Sequence, residues 1–138
     1  MPMGDRSLGD ALLAPTRIYV KTLLKLMETH RPDGLAHITG GGLSENIIRV
    51  IPAGLDLELD LSAWTFPEIF QWLQTRGGID EKEMLRTFNC GIGMVLVTDE
   101  NSTGAINAAL TSAGEQVCTL GRVIDCPDQR RRVHYIRS

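Results

Sequence analysis

One stretch of seven residues, LDLELDL at positions 55–61, most constrains what this chain can fold into. Leucine and acidic residues alternate without a break, and a period of two matches side chains that point to opposite faces of an extended strand. The pattern therefore predicts a β-strand with one buried leucine face. We expect its acids, Asp56, Glu58 and Asp60, to form a solvated face that discourages edge-to-edge pairing, in preference to a metal site.

Helical and strand patterns alternate along the rest of the chain. Apolar spacing and end signals predict helices near residues 14–27, 43–51, 65–77, 80–86 and 99–114, and strands near residues 34–38, 94–97, 116–124 and 132–136. Pro15 suits a first helical turn, and Thr65 with Glu68 has the spacing of a capping box. Because only a turn separates the last two strands, we expect partly antiparallel pairing.

This order predicts an α+β (α/β layered) domain, in which helices pack on a mixed sheet. We expect residues 1–8 to be an N-terminal arm or linker remnant and residues 9–138 to be the domain. The 138 residues, 43% hydrophobic and 22% charged, suit one ordered domain of this kind.

The charge and the cysteines restrict the class of protein further. A formal net charge of −3 argues against a nucleic-acid or polybasic membrane surface, and no apolar run is long enough to span a bilayer. We therefore expect a cytoplasmic protein. Cys90, Cys118 and Cys126 lack C-x-x-C spacing, which favours reduced thiols over a disulfide or a zinc site. Cys90 is expected to be a small buried residue in a tight bend.

A glycine run lies between a short apolar strand and a helix, in HITGGGLSENIIRV at residues 37–50. Gly40, Gly41 and Gly42 permit positive φ angles and close backbone approach, and a helix start presents unpaired N–H groups. With the hydroxyls of Thr39 and Ser44, this arrangement suits an anion such as phosphate. A turn that packs strand against helix is the alternative, and the G-x-x-x-x-G-K-[ST] pattern is absent.

Polar residues on either side of the glycine run are candidates for substrate contact. Glu45 and Asn46 lie one turn into the helix, where an amide can bind polar groups and an acid suits a cationic amidine, an amine or magnesium. An ion pair between Glu45 and Arg49, four residues on, is the alternative for that acid. His37 precedes the run and is expected to be either a structural residue or a substrate contact.

A second candidate segment is FNCGIGM at residues 88–94. Gly91 and Gly93 alternate where a strand begins, which indicates close backbone approach or a structural bulge. Asn89 is the polar group of this segment. We assign no role to His30 or His134.

Three segments together resemble the C-terminal half of the phosphoribosylformylglycinamidine cyclo-ligase (aminoimidazole ribonucleotide synthetase) family: GDALLAPTRIYVK, HITGGGLSENIIRV and RTFNCGIGMVLV, at residues 9–21, 37–50 and 86–97. The resemblance extends over about residues 5–136. Selenophosphate synthetase and thiamine-monophosphate kinase share the architecture but not this combination of motifs. Nothing here resembles the N-terminal domain expected to carry the ATP and Mg²⁺ site and most of the homodimer contact, so we expect the C-terminal part of a longer protein.

The resemblance implies an ATP-dependent ring closure of formylglycinamidine ribonucleotide to aminoimidazole ribonucleotide, a step of de novo purine biosynthesis. Carried over residue by residue, it implies phosphate contacts, catalytic or substrate contacts, and residues lining the same cleft. The phosphate contacts are Thr39, Gly40, Gly41 and Gly42. The catalytic or substrate contacts are His37, Glu45 and Asn46. The residues that line the same cleft are Asn89, Gly91 and Gly93. A non-catalytic phosphate-binding module, a purely structural domain, or another enzyme of the superfamily is the alternative.

Overall fold

The computed structural model describes residues 2–3, 5–128 and 130–138. Within these ranges the chain forms six helices and seven strands. The strands are β1 (Pro2–Met3), β2 (Arg6–Ser7), β3 (Gly34–His37), β4 (Leu55–Asp60), β5 (Met94–Val97), β6 (Gly121–Asp125) and β7 (Val133–Ile136). The helices are α1 (Leu8–Leu12), α2 (Val20–Met27), α3 (Gly42–Ile48), α4 (Glu68–Gly77), α5 (Glu81–Thr87) and α6 (Glu100–Ser112). The order of elements confirms the α+β class.

Two separate sheets carry the longer strands. β3 pairs with β5 in an antiparallel sheet of two strands, and β6, β4 and β7 form a mixed sheet of three in that order. β6 is antiparallel to β4, and β7 is parallel to it. The expectation that the last two strands pair with each other is therefore wrong. The segment between them is long enough to carry the chain from one edge of β4 to the other.

The main core lies on the leucine face of β4, as the alternation predicts. Leu57 and Leu59 belong to one buried cluster with residues in and just after β3, α3 and α5, a set that comprises Ala36, Ile38, Leu43, Ile47, Ile51, Met84, Leu85 and Cys90. A smaller core joins α2 to α6 through Leu26, Ile106 and Leu110. The site described below lies where β3 and β5 leave the main core.

The acidic face of β4 differs from the expectation. Asp56 is only 4% exposed, and its carboxylate accepts hydrogen bonds from the backbone N–H of Arg132 and from His134 Nε2, both at 2.8 Å. Glu58 is paired with Arg122 at 2.8 Å. The solvated-face interpretation is therefore wrong for Asp56, because polar groups of Arg132 and of His134 on the neighbouring strand β7 bond to it. His134, for which no role was predicted, joins β7 to β4 through this contact with Asp56.

Two helix starts differ from the sequence prediction. α2 begins at Val20, about six residues later than expected. α4 begins at Glu68 after Pro67, and no side chain caps it. Pro67 explains the second difference: the residue before a proline is biased away from helical backbone angles, so Phe66 does not begin the helix and Thr65 is left outside.

The first residues of two other elements also differ from the sequence prediction. β6 begins at Gly121, so the predicted strand over residues 116–124 is shortened at its start. Within the predicted arm, Ser7 and Asp10 form a capping box that starts α1. Met1 and Gly4 of that arm lie outside the described residues.

The apolar stripe predicted for α2 is largely on the surface. Val20 is 62% exposed and Leu24 58% exposed, and only Leu26 of this helix is buried. Across the described ranges, no helix combines the length and apolarity needed to cross a bilayer.

We expect Asp56→Asn to lower the urea midpoint of unfolding at pH 7. The hydrogen bond from His134, opposed by burial, holds the pKa of Asp56 below its ordinary value of 3.8. A lowered folded-state pKa stabilises the fold above about pH 3.8, and this contribution is lost as the pH falls through the folded pKa. The difference between wild type and variant should therefore shrink below pH 3.8.

Asp125→Asn is the matched control, because Asp125 is an exposed acid on the neighbouring strand β6. Its midpoint should follow that of the wild type across the same pH range. Equal midpoints for wild type and Asp56→Asn at pH 7 would show that the buried contacts contribute nothing to stability.

Candidate functional site

The two glycine-containing segments meet at one end of the β3–β5 pair. Because the strands are antiparallel, the segment that leaves β3 and the segment that enters β5 lie at the same end. The backbone N–H of Ile38 donates to the carbonyl of Gly93 at 2.9 Å, and His37 lies opposite Met94. The fold therefore brings together the two motifs that the sequence singled out.

Tyr19 adds the third motif to this place. Its ring lies 6.0 Å from that of His37, centroid to centroid, at an interplanar angle of 69°. A Cβ at Gly93 would clash with the Tyr19 hydroxyl, so this glycine makes room for the ring. Burial, followed by the charge of Glu115, raises the pKa of Tyr19. Sequence reasoning missed Tyr19, although it belongs to the segment LAPTRIY on which the resemblance rests.

The three glycines of the run have different environments. Gly41 and Gly42 have φ angles of 94° and 66°, which favour glycine. A Cβ at Gly42 would clash with the carbonyl of Leu85, so this glycine lets α3 pack closely on α5. The Gly42 N–H already donates to Thr39 at 3.1 Å. Gly40 is exposed, and a Cβ there would meet nothing within 4 Å.

Asn46 braces the glycine run from inside. Its side chain is buried, and its amide nitrogen donates to the carbonyls of Thr39, Gly40 and Gly42 at 3.3, 3.3 and 2.7 Å. Three carbonyl acceptors fix which end of the amide is the nitrogen. The oxygen faces the Arg49 guanidinium at 3.5 Å. This amide nitrogen is fully engaged with the loop, and substrate contact by Asn46 stays a prediction.

Glu45 lies over the loop on the exposed side. Its Oε2 is 2.6 Å from the position that a Cβ at Gly41 would occupy. A carboxylate is favoured there, because the first turn of a helix carries partial positive charge. Among the described residues Glu45 and Arg49 form no ion pair, since the nearest polar contact of Arg49 is Asn46. Within the described ranges, the carboxylate of Glu45 therefore forms no salt bridge.

The second glycine segment is a packed turn. The Asn89 carboxamide oxygen accepts from the Gly91 N–H at 3.0 Å, and Gly91 has a φ of 97° and packs on the Pro67 ring. Cys90 between them is fully buried, and burial raises the pKa of its thiol to about 12. Such a thiol is a poor nucleophile at neutral pH, which confirms the interpretation of Cys90 as a small buried residue.

The predicted site residues thus divide into two groups. One group is engaged in packing or in hydrogen bonds within the loops: Gly42, Asn46, Asn89, Gly91 and Gly93. The other group reaches solvent beside the loop, and we call it the loop face: His37, Thr39, Gly40, Gly41 and Glu45. In the described part of the chain, no three histidine, cysteine or acidic side chains are placed to hold a metal ion.

The fold and this loop arrangement define an α+β domain with a candidate small-molecule site at one end of a strand pair. The sequence matches the family described as AIR synthase related protein, C-terminal domain, over residues 2–134, and the chain belongs to that family.

Two similar relatives are both named phosphoribosylformylglycinamidine cyclo-ligase. The protein from Chromobacterium violaceum is 53% identical over 120 residues, which is 87% of this chain and 35% of the relative. The protein from Burkholderia cenocepacia is 57% identical over 118 residues, which is 86% of this chain and 34% of the relative. The chain therefore spans about a third of the length of these relatives.

We expect Gly93→Ala to destabilise the chain by about 1–3 kcal/mol, because the new methyl group displaces the Tyr19 ring. In a Tyr19→Ala background the same change should cost less, since the obstructing ring is gone. Urea unfolding of the two single variants and the double variant measures this coupling. Additive costs would show that Gly93 and Tyr19 do not restrict each other.

Gly104→Ala is the control for a glycine with room around it. Gly104 lies inside α6, and a Cβ there would meet nothing within 4 Å. Alanine favours helix over glycine by about 1 kcal/mol, so this variant should be more stable than the wild type.

We expect Asn46→Asp to destabilise the chain more than Asn46→Ala at pH 7. Alanine removes the donor that satisfies three loop carbonyls, at a cost of about 1–3 kcal/mol. A carboxylate adds repulsion with the same carbonyls. The free energy of unfolding of the two variants in urea gives the order, and the reverse order would contradict a bracing role for the amide.

Proposed function

We propose that this chain supplies substrate-binding residues of a phosphoribosylformylglycinamidine cyclo-ligase. That enzyme would close formylglycinamidine ribonucleotide to aminoimidazole ribonucleotide at the expense of ATP, in de novo purine biosynthesis. The observation that carries the proposal is the meeting of the three family motifs at His37, Gly93 and Tyr19. The names of the two relatives support it.

The charges of such a substrate suit the loop face. Formylglycinamidine ribonucleotide is anionic at its phosphate and cationic at its amidine. The Thr39 hydroxyl and the N–H groups of Gly40 and Gly41 would donate to the phosphate. The Glu45 carboxylate, which forms no salt bridge with the residues that the structure describes, would bind the amidinium. His37 would contact the same substrate through its exposed ring.

Glu45 also restricts how the substrate lies. Like charges repel, so the phosphate of the substrate must lie away from the Glu45 carboxylate. The glycine loop and Glu45 would therefore bind different ends of the substrate. Such two-point binding orients the amidine nitrogen toward the carbon that it attacks. Gly42 and Asn46 would act on this step indirectly, because they hold the loop in shape. Asn89, Gly91 and Gly93 would line the same cleft.

ATP and Mg²⁺ are assigned to another part of the complete enzyme. ATP would supply the phosphoryl group that activates the formyl oxygen. The described residues hold no group of three histidine, cysteine or acidic side chains placed for a metal ion, and the sequence contains no G-x-x-x-x-G-K-[ST] motif. We therefore place both groups on an N-terminal domain, together with most of a homodimer contact, and propose a cytoplasmic location.

We expect Glu45→Gln, made in a complete cyclo-ligase that contains this chain, to lower kcat/KM by about tenfold or more, because the neutral amide loses the charge that binds the amidinium. Steady-state kinetics with formylglycinamidine ribonucleotide measures the effect. Glu28→Gln, an exposed acid just after α2, is the control and should keep wild-type kinetics. A Glu45→Gln value within about threefold of wild type would remove Glu45 from the proposed site.

A phosphate-binding module without catalysis is the rival proposal, because the chain spans only about a third of its relatives. The 138 residues alone, mixed with ATP and substrate, should release no phosphate under either proposal. The complete protein should release phosphate as aminoimidazole ribonucleotide forms. If the complete protein binds substrate but releases none, the rival proposal is correct.

A further inference from the structure

We propose that Tyr19 is a positioning residue, whose ring holds the imidazole of His37 in one orientation beside the glycine run, ready to contact the substrate. The inference rests on the proposed substrate contact of His37 at the loop face. It adds to that site a residue that touches no substrate and acts through its neighbour.

The side chain of His37 lies outside the core. His37 is the last residue of β3 and is exposed, whereas Ala36 before it and Ile38 after it are buried. An exposed side chain loses rotamer freedom when a substrate fixes it, and that loss opposes binding. A contact that fixes the imidazole before the substrate arrives removes part of this loss.

The ring of Tyr19 makes such a contact with His37. The two ring centroids lie 6.0 Å apart and the ring planes meet at 69°, which is an edge-to-face arrangement. Aromatic rings prefer this arrangement at centroid distances of about 4.5–7 Å, because the positive edge of one ring faces the negative face of the other. The contact is directional, so it favours one orientation of the imidazole.

Tyr19 turns inward although its neighbours in sequence do not. Ile18 is 83% exposed and Val20 is 62% exposed, whereas Tyr19 is partly buried. Its hydroxyl occupies the space in which a side chain at position 93 would lie. The carbonyl of Gly93 accepts the hydrogen bond from Ile38, the residue after His37. The ring therefore connects the start of β5 with the end of β3.

A largely buried acid just after α6 fixes the chain on both sides of Tyr19. The Glu115 side chain is 13% exposed, and one of its carboxylate oxygens pairs with Arg17 Nε at 2.9 Å. The other oxygen accepts from the Thr22 hydroxyl at 3.3 Å, and Arg17 also donates to the carbonyl of Gly114 at 3.3 Å. Because Arg17 precedes Tyr19 and Thr22 follows it, this shared carboxylate makes the ring a fixed support for His37.

A double-mutant cycle in a complete cyclo-ligase that contains this chain tests the proposal. Tyr19→Leu should lower kcat/KM for formylglycinamidine ribonucleotide by about tenfold, because the imidazole is no longer aligned with the substrate. In a His37→Ala background the same change should lower kcat/KM by less than about twofold, since no imidazole remains to be positioned. Tyr19→Phe keeps the ring and should stay within about twofold of wild type.

The cycle separates failure of this inference from failure of the proposed function. If His37→Ala keeps kcat/KM within about threefold of wild type, the substrate contact of His37 is wrong, and the role of Tyr19 falls with it. If His37→Ala lowers kcat/KM and Tyr19→Leu costs the same with and without the imidazole, only the role of Tyr19 is wrong. A Tyr19→Leu value within about twofold of wild type would also overturn that role.

Motion of the His37 ring in the 138-residue chain gives a second measurement, which needs no turnover. Carbon-13 relaxation of the histidine rings reports order on the ps–ns timescale. The His37 ring should be ordered in wild type and Tyr19→Phe and mobile in Tyr19→Leu. A mobile ring in the wild type, or an ordered ring in Tyr19→Leu, would overturn the proposal. His134, which bonds to Asp56, is the internal control and should stay ordered in every folded variant.

The control ring also shows whether the leucine variant folds. If His134 is mobile in Tyr19→Leu, Tyr19→Met replaces that variant in both experiments, because methionine adapts to irregular space and lacks an aromatic ring. The same results are then expected from Tyr19→Met, and the same results would overturn the proposal.

Discussion

The antiparallel pairing of β3 with β5 is the constraint on which the rest of the site depends. It sets two loops that are about fifty residues apart in sequence side by side, and the bond from Ile38 to Gly93 locks their register. A slip of one residue would turn every side chain of β5 to the opposite face. His37 would then lose its place beside Tyr19, and both cores would lose their contacts with β5.

Sequence reasoning predicted best where a pattern is local. The alternation at residues 55–61 and the apolar spacing over residues 65–77 and 80–86 all predicted the correct element. It failed where partners are distant in sequence. The hydrogen bonds of buried Asp56 depend on Arg132 and His134, seventy-six and seventy-eight residues further along, and the path of β6 and β7 around β4 leaves no local signal.

The candidate site shows the same division. The sequence identified the glycine run and its flanking polar residues, because both features are visible within fourteen letters. It did not show that Asn46 turns inward to three carbonyls while Glu45, its neighbour, stays outside. That difference follows from how α3 packs on α5 through Gly42. The contacts of Tyr19 with His37 and Gly93 could not be predicted either, because these residues are far apart in the sequence and meet only through the fold.

The division of the apolar residues into two cores bears on how the isolated chain would unfold. α2 and α6 hold the smaller core, and α3, α5 and the leucine face of β4 hold the main one. Among the described residues, β5 and the segment before β6 touch both, since Val97 and Leu120 pack on the main core while Leu96 and Val117 pack on the smaller one. The two larger sheets share no backbone hydrogen bonds among the described strands. Cooperative unfolding requires that the loss of one part destabilises the other. With two short segments as the link, helices α2 and α6 form the part of the chain that can open while the main core stays intact.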